Sequence, residues 1–194
     1  GAVVVPGGSR QALAELPPID RSLYACVQDE EALAGWIERA FAARLLAFGT
    51  GTRARDAISA VLAGLSMATG PGQACYIPLS HGGTDMFAEK PRQIELARAI
   101  ALLKPLLESD AVLKVGQNAK YDLNVLARHG ITVSPIDDTM VMSFDLDAGR
   151  SIDGIGGGHG MDELAMRHLG HSCIAFKDVC GTGKKAIPFG EVPL

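Results

Sequence analysis

Apolar residues recur along the chain at two different periods, and these periods predict its helices and strands. From Leu33 to Phe41 they follow the i, i+3, i+4, i+7, i+8 spacing of an amphipathic helix that begins in the acidic segment 29–31. Short apolar runs bounded by turn residues predict strands instead, at 24–27, 45–48, 61–68, 74–79 and 112–115. The run 45–48 has no polar residue and predicts a buried strand. Because Thr-Gly-Pro-Gly at 69–72 separates two strands, the segment 45–79 predicts an antiparallel meander.

The middle of the chain predicts helices. Pro91 suits a first helical position, and the Lys104-Pro105 pair should end that helix and start a short second one. A further helix is expected over residues 120–129, closed by Gly130.

Towards its end the chain predicts one more helix, from Met161 to Leu169, with Gly170 as its C′ residue. The short apolar run 139–144 is compatible with a strand or a helix, and the glycine-rich segment 154–160 predicts a loop. Strands followed by alternating helices and strands indicate an α/β domain, with a mixed sheet and helices on both of its faces.

Length and composition limit the classes of protein to consider. The chain has 194 residues, of which 47% are hydrophobic, which suits one domain with a sizeable core. Residues 1–20 are rich in Ala, Gly and Pro and predict a flexible linker before a domain at 21–194. No run approaches the roughly 20 apolar residues that span a bilayer, so no membrane partner is expected. The four cysteines show neither metal-site nor disulfide spacing, which favours a reducing cytosol.

Charge and minor motifs exclude several kinds of binding site. The net charge of −4 argues against a general binder of duplex DNA, which usually carries a basic face, but allows a small site for a few nucleotides. The segment 181–185, Gly-Thr-Gly-Lys-Lys, lacks the GxxxxGK[ST] spacing of a phosphate loop, and 154–160 lacks a GxGxxG fingerprint. The five histidines form no HxxxH or HExxH pair.

The stretch from Val115 to Asp122, Val-Gly-Gln-Asn-Ala-Lys-Tyr-Asp, runs from a predicted strand into a predicted helix. In a structural interpretation Asn118 caps this helix and Asp122 complements the helix dipole. In a functional interpretation the same geometry directs an amide and a carboxylate at the mouth of a sheet, ready for phosphate and metal. Local chemistry alone does not favour either interpretation.

Several segments carry a resemblance to a known family. Residues 116–122, Gly-Gln-Asn-x-Lys-Tyr-Asp, resemble the second exonuclease motif of the 3′→5′ proofreading domains in bacterial family A DNA polymerases. Further segments resemble the same domains in the same order, at 74–81, 138–140, 159–165, 176–179 and 181–185. The resemblance implies the ribonuclease H-like exonuclease fold and hydrolysis of 3′-terminal nucleotides of DNA in the bacterial cytoplasm. It also implies a single-stranded 3′ end and the polymerase domain of a parent chain as partners.

The resemblance also implies a metal site, and here the chain departs from the family. The family uses two divalent ions, Mg²⁺ or Mn²⁺, which are hard cations that need several carboxylate oxygens. Its first motif is Asp-Thr-Glu-Thr after a buried strand, where a period of two brings both carboxylates to one face. Here that segment reads Gly49, Thr50, Gly51, Thr52, with both carboxylates missing, and Arg53 and Arg55 add positive charge nearby.

Of the four metal-site carboxylates that the resemblance implies, Asp122 alone is present. The third motif, a Tyr with an Asp four residues later, is expected after Leu194, where the sequence stops, so the domain reads as truncated before that motif. One carboxylate does not hold two divalent ions at ordinary concentrations. The resemblance therefore predicts an exonuclease domain that is catalytically impaired or inactive, with its metal weakly bound or absent.

A second class of function stays open beside this one. The chain would then be a non-catalytic module that scaffolds a polymerase or holds single-stranded DNA. The residues predicted to contact DNA near a 3′ end are Gln117, Asn118, Tyr121 and Thr52, together with Phe176, which matches a family position that wedges between terminal bases. In the competing interpretation Phe176 is an ordinary core aromatic.

Overall fold

The computed structural model describes residues 19–53, 61–82, 90–147, 158–183 and 186–194. Within these ranges the strands are β1 (Ala25–Cys26), β2 (Leu45–Thr52), β3 (Leu62–Gly70), β4 (Gln73–Pro78), β5 (Leu113–Gly116) and β6 (Ile136–Asp138). The helices are α1 (Glu30–Ala43), α2 (Leu96–Leu107), α3 (Lys120–Ala127), α4 (Thr139–Asp147), α5 (Met161–Leu169) and α6 (Phe176–Cys180). Across the described part of the chain, no helix has the length and apolar character needed to cross a membrane.

The six strands form one mixed sheet in the order β1-β4-β3-β2-β5-β6. Strands β2, β3 and β4 pair antiparallel, which confirms the predicted meander, and Gly72 takes the left-handed conformation (φ +71°) in the turn before β4. Strand β1 runs parallel to β4, while β5 and β6 continue parallel from β2. In this order β2 is the strand of the meander that also pairs with the parallel strand β5. The end of β2 therefore lies next to the turn that follows β5.

Helix α1 shows how the apolar period builds the core. Its N-terminus is capped by Asp29, whose carboxylate accepts a hydrogen bond from the amide of Ala32 at 2.9 Å. Its residues Leu33, Trp36 and Ala40 are buried in the core, as their spacing predicts.

Strand β2 differs from the buried strand that was predicted. Leu46 and Phe48 are buried in the core, whereas Leu45 and Ala47 are exposed. Because side chains alternate along a strand, an apolar run does not by itself show that both faces are covered. The partly open face is the one that carries Gly49 and Gly51.

Two expectations about α2 are wrong. The helix begins at Leu96, not at Pro91, because the Glu95 carboxylate accepts hydrogen bonds from the amides of Ala97 and Arg98 and caps it there. Pro105 lies inside the helix and does not break it. It lies in the last turn, where the carbonyl that loses its helical partner belongs to exposed Ala101 and is open to solvation, while neighbouring buried leucines hold the helix on the core.

Four further expectations concern the run 139–144, the end of α5, the N-terminal linker and the glycine-rich loop. The run 139–144 belongs to a helix, and α5 ends at Gly170 in the left-handed conformation (φ +60°), as predicted. The predicted linker lies outside the described residues except for positions 19 and 20, and the predicted loop 154–160 does so except for its last three residues.

The core also contains a buried charged side chain. Lys114 on β5 is fully buried, and its ammonium group donates to the carbonyl oxygens of Ser109, Val112 and Ser134 at 2.7, 2.7 and 2.5 Å. Burial lowers the pKa of this amine below its usual value. Lys114 thus ties together the segments that precede β5 and β6.

Candidate active-site cleft

A cavity of about 960 Å³ lies over the partly open face of β2. Gly49 and Gly51 line its floor, and apolar side chains of α4 and α5 line the facing wall, among them Met142, Leu146 and Leu164. Because the same sheet packs α1 on its buried face, this cleft lies between the sheet and a second helical layer. Most of its lining is apolar, with Asp122 as the acidic residue that it contains.

Asp122 reaches β2 at the residue between the two glycines. Its Oδ1 accepts hydrogen bonds from the backbone amide of Thr50 at 2.7 Å and from the Thr50 hydroxyl at 2.5 Å. Burial raises the pKa of the Asp122 carboxyl above its usual value, and the nearby charge of Asp138 raises it further, while the bonds from Thr50 act in the opposite direction. The structure thus brings together Gly49, Gly51 and Asp122.

The turn between β5 and α3 places Asp122 there. Asn118 adopts the left-handed conformation (φ +52°), and its side chain does not cap α3, so the structural interpretation of Asn118 is wrong. The carboxylate of Asp138 takes that role, accepting hydrogen bonds from the amides of Asn118 and Ala119 at 2.9 and 2.7 Å. Gly116 makes the turn possible, since a Cβ on it would lie 2.7 Å from the Cβ of Ala119.

Gln117 lies in the cleft but its amide is used within the protein. Its Nε2 donates to the carbonyl of His159 at 2.7 Å, and its Oε1 accepts from the Thr139 hydroxyl at 2.5 Å. His159 Nδ1 in turn lies 2.9 Å from the hydroxyl of Ser143 on α4. Gln117 therefore links the β5–α3 turn to the wall of the cleft.

An aromatic ring lies against Gly51 on the floor of the cleft. A Cβ built on Gly51 would lie 2.5 Å from Cε1 of Phe189, and one on Gly49 would meet only the Ser66 hydroxyl, at 3.2 Å. Gly51 pairs with Gly64 on β3, over which the Tyr76 ring lies. Glycines on two neighbouring strands thus form a flat floor under aromatic side chains.

The segment that carries Phe189 is held by several groups. The amide of Gly82 donates to the carbonyl of Gly190 at 2.8 Å, and His81 Nδ1 lies 3.2 Å from the carbonyl of Val192. Because that carbonyl only accepts, Nδ1 carries the proton and Nε2 accepts from the Tyr76 hydroxyl at 2.7 Å. Burial lowers the pKa of His81.

The other predicted contact residues lie around the rim. The hydroxyls of Thr52 and Tyr121 are 2.5 Å apart, and Asn118 is exposed beside the turn. Phe176 is 59% exposed, so its interpretation as a core aromatic is wrong. Its ring stacks on Phe189, with centroids 6.3 Å apart and planes at 24°.

Of the two arginines expected to add positive charge near the cleft, Arg53 lies within the described residues. The guanidinium of Arg53 donates to the carbonyls of Ser80 and Gly82 at 2.7 and 2.5 Å, so it binds the protein's own backbone. Arg55 lies outside the described residues.

The residues of the cleft do not fit a pair of divalent cations. Over the described ranges, no group of three or more His, Cys, Asp or Glu side chains is arranged to hold a metal ion. Positions 49 and 51 offer no oxygen ligand from a side chain, and Asp122 Oδ1 is already bonded to Thr50. Hard cations need several oxygen ligands at once.

Sequence reasoning missed four residues that shape the cleft, namely Asp138, Phe189, Tyr76 and Gly64. Asp138 had a signal, because an Asp at the end of a strand just before a helix is typical of an N-cap. The pairing of Gly51 with Gly64 depends on strand register, which the sequence does not specify.

Comparison with known proteins gives matches over nearly the whole chain. Residues 24–192 match the family model described as 3′-5′ exonuclease. DNA polymerase I of Rhizobium leguminosarum is 41% identical to the chain over 95% of its length, and that of Pseudomonas aeruginosa is 37% identical over 88%. The chain spans about a fifth of these relatives, 19% and 18% of their lengths respectively.

Solved structures share the fold at low sequence identity. The EXO domain of Aedes aegypti Nibbler aligns with a TM-score of 0.62 and 13% identity, over 83% of this chain and 75% of that one. Escherichia coli RNase D, an exoribonuclease, aligns with a TM-score of 0.55 and 18% identity, over 78% and 34%. Brucella melitensis NrnC with bound Mg²⁺ aligns with a TM-score of 0.52 and 18% identity, over 78% and 62%. RNase D and the Nibbler EXO domain are exonucleases of the ribonuclease H-like fold, which confirms the predicted fold class.

Proposed function

The chain belongs to the 3′-5′ exonuclease domains of bacterial DNA polymerase I, and from this premise we propose that its own cleft is catalytically impaired or inactive. The observation that carries the proposal is the pair of glycines at positions 49 and 51, which face the cleft beside Asp122. The family is expected to carry its first-motif carboxylates at these two positions, whereas glycine has polar atoms only in its backbone. Mg²⁺ or Mn²⁺ would bind weakly or not at all.

The chemistry of Asp122 supports the same conclusion. A metal-binding carboxylate must be ionised, and burial, which raises the pKa of Asp122, makes its ionised form less favourable than that of an exposed carboxylate. Its bonds from Thr50 give the carboxylate a structural role in joining α3 to β2. Without a second carboxylate, no geometry for activating water follows from these residues.

The test is a nuclease assay on a labelled single-stranded oligonucleotide, with Mg²⁺ and then Mn²⁺. Asp122→Ala is the matched control, because it removes the acidic residue that the cleft retains. We expect the parent chain and Asp122→Ala to give the same trace of cleavage. Cleavage by the parent that is lost in Asp122→Ala would contradict the proposal.

A second candidate function is the holding of single-stranded DNA without cleavage, which the exposure of Phe176 favours. Its ring is 59% exposed and stacks on Phe189 at the mouth of the cleft. Unpaired bases stack on exposed aromatic rings with little dependence on sequence. Asn118, Tyr121 and Thr52 would contact the strand near its 3′ end.

Titration of a labelled oligonucleotide at two salt concentrations tests this candidate. We expect weak binding that falls as salt rises, since phosphate contacts release counterions. Phe176→Ala should weaken binding by roughly 5–150-fold, the range for one lost base-stacking contact. Phe41→Ala, which removes a 39% exposed ring from α1, should leave it unchanged. Equal affinities of the two variants, or tight binding at all salt concentrations, would argue against the candidate.

The setting of the domain is part of the proposal. By its relatives, the domain works beside a polymerase domain in a longer chain, on the single-stranded 3′ end of DNA in the bacterial cytoplasm. Its role there would be that of a scaffold or holding module, in replication and repair, and not that of an editing nuclease.

A further inference from the structure

One carboxylate caps two helices of the cleft. Asp138 is the last residue of β6, and its Oδ1 accepts hydrogen bonds from the amides of Asn118 and Met140, both at 2.9 Å. Its Oδ2 accepts from the amide of Ala119 at 2.7 Å. The bonds from Asn118 and Ala119 reach the start of α3, and the bond from Met140 reaches the start of α4.

Strand pairing brings the carboxylate to both helices. Asp138 lies opposite Gly116 in the parallel pairing of β5 and β6, so its side chain is beside the turn that follows β5. The N-terminus of α3 has no capping side chain of its own, because its N-cap residue is Ala119. A helix N-terminus carries partial positive charge, and an anion that bonds its free amides stabilises it more than a neutral group does.

The two helices form opposite sides of the cleft. Helix α3 carries Asp122, which bonds Thr50, and α4 carries Met142 and Ser143 of the facing wall. Thr139, next to Asp138, adds hydrogen bonds to the Gly116 carbonyl and to Gln117.

We propose that Asp138 is a positioning residue of the cleft, which fixes α3 and α4 to one point and thereby holds Asp122 against Thr50. Asp138 does not line this cleft, and its two oxygens accept three hydrogen bonds from backbone amides. It therefore acts through the backbone of the turn and not on a ligand. The inference concerns the cleft whether or not it binds DNA, so its failure is distinguishable from failure of the proposed function.

Amide hydrogen exchange measured by NMR on the ¹⁵N-labelled chain tests this. The reporter is the Thr50 amide, which donates to Asp122, and the reference is the Leu65 amide in the adjacent strand β3. In Asp138→Ala we expect exchange at Thr50, Asn118 and Ala119 to accelerate at least about tenfold relative to Leu65. Asn118 and Ala119 lose their acceptor, and the acceptor of Thr50, Asp122, is no longer held in place. Asp137→Ala is the matched control, because Asp137 is exposed and precedes Asp138 on the same strand.

Asp138→Asn gives a sharper result and keeps the test usable if the alanine variant does not fold. Its one carbonyl oxygen still accepts from Asn118 and Met140, but its amide nitrogen cannot accept from Ala119. We expect the Ala119 amide to lose protection while Asn118 and Thr50 keep most of theirs. Acceleration that is uniform across Leu65 and Thr50, or equal in Asp137→Ala, would overturn the proposal, as would an unchanged Thr50 amide in Asp138→Ala.

Discussion

Asp122 bonds the same residue twice, because the amide and the hydroxyl of Thr50 both donate to its Oδ1, at 2.7 and 2.5 Å. Thr50 stands between Gly49 and Gly51, so the carboxylate of Asp122 is bonded to the strand between these two glycines. This bond pattern needs an acceptor oxygen but not a negative charge. Its charge state therefore becomes the first property to test.

Asp122→Asn should be at least as stable as the parent chain at pH 7. The unfolded carboxyl loses its proton near its usual pKa of 3.8, whereas burial keeps the folded pKa higher. Between these two values the folded state binds more protons, so the parent loses stability as pH rises through that window. Asparagine keeps the acceptor oxygen and does not titrate, so its stability should not fall there.

Urea unfolding of the parent and Asp122→Asn from pH 3.5 to 7 checks this prediction. The difference in free energy of unfolding should shift in favour of Asp122→Asn with increasing pH and then level off. Asp137→Asn, which changes an exposed carboxylate, is the control. A difference that is constant across the range would show that the Asp122 carboxyl has the same pKa folded and unfolded.

Gly51→Ala should be more costly than Gly49→Ala. A Cβ at position 51 would lie 2.5 Å from the Phe189 ring, whereas one at position 49 would meet a single hydroxyl at 3.2 Å. The Phe189 ring is itself packed against Tyr76, His81 and Phe176. Overpacking of this kind costs about 1–3 kcal/mol.

A double-mutant cycle with Phe189→Ala separates the two positions. In the Phe189→Ala background Gly51→Ala should cost little, while the effect of Gly49→Ala should be unchanged. The same geometry bears on restoring the first motif, since Gly49→Asp fits more readily than Gly51→Glu, which must displace the ring. Equal costs of Gly51→Ala with and without Phe189 would contradict the prediction.

Stability should fall on mild acidification, and His81 should account for part of the loss. Burial, and secondarily the charge of Arg53, lowers the folded pKa of His81, although its bond to Val192 acts the other way. An unfolded histidine binds a proton near pH 6.5, so below that pH the unfolded state binds more protons and stability is lost until the folded pKa is reached. Unfolding measured from pH 7.5 to 5 should show a smaller slope in His81→Gln. Burial lowers the pKa of His129 too, so the double variant should be flatter still. A slope unaffected by either substitution would refute the assignment.

Lys114→Met should lower the free energy of unfolding by about 1–3 kcal/mol or more, because it leaves carbonyls without their charged donor. Those carbonyls belong to Ser109, Val112 and Ser134. The control is Lys104→Met, which removes a partly exposed ion pair with Glu108, worth about 0–1 kcal/mol, together with an exposed bond to the Gly130 carbonyl. Thermal or urea unfolding compares the two. A larger loss in Lys104→Met would contradict the prediction.

The sequence predicts the helices and strands of this fold better than it predicts the contacts at their ends. The meander and the helix over Leu33–Phe41 follow from periodicity, because alternation and 3.6-residue spacing are local properties. The start of α2, which was predicted wrongly, is set by two capping bonds to Glu95, and the start of α4, where strand and helix were both left open, is capped by Asp138. Pro105 is tolerated because of its place in a last turn, which a dipeptide rule does not consider.

Features of the cleft that depend on strand order could be predicted from the sequence. Features that depend on strand register or on contacts between distant segments could not. Residues Gly49, Gly51 and Asp122 meet because one strand end adjoins the turn after its neighbour. The packing of Phe189 on Gly51 requires two segments distant in sequence to meet, and no local pattern encodes such a contact. The exposure of Phe176 likewise depends on what the folded chain leaves uncovered.

The three carbonyls around Lys114 also shield its amine from solvent, so chemical modification of this amine reports on global unfolding. An amine-acylating reagent modifies exposed lysines such as Lys120 in the native state, whereas the Lys114 nitrogen is reachable only when β5 leaves the sheet. When the chain recloses faster than the reagent reacts, peptide mass spectrometry would show the Lys114 tag accumulating in proportion to the fraction of molecules that are globally open. A destabilising substitution anywhere in the domain could be ranked from that single tag, without denaturant and at any chosen temperature.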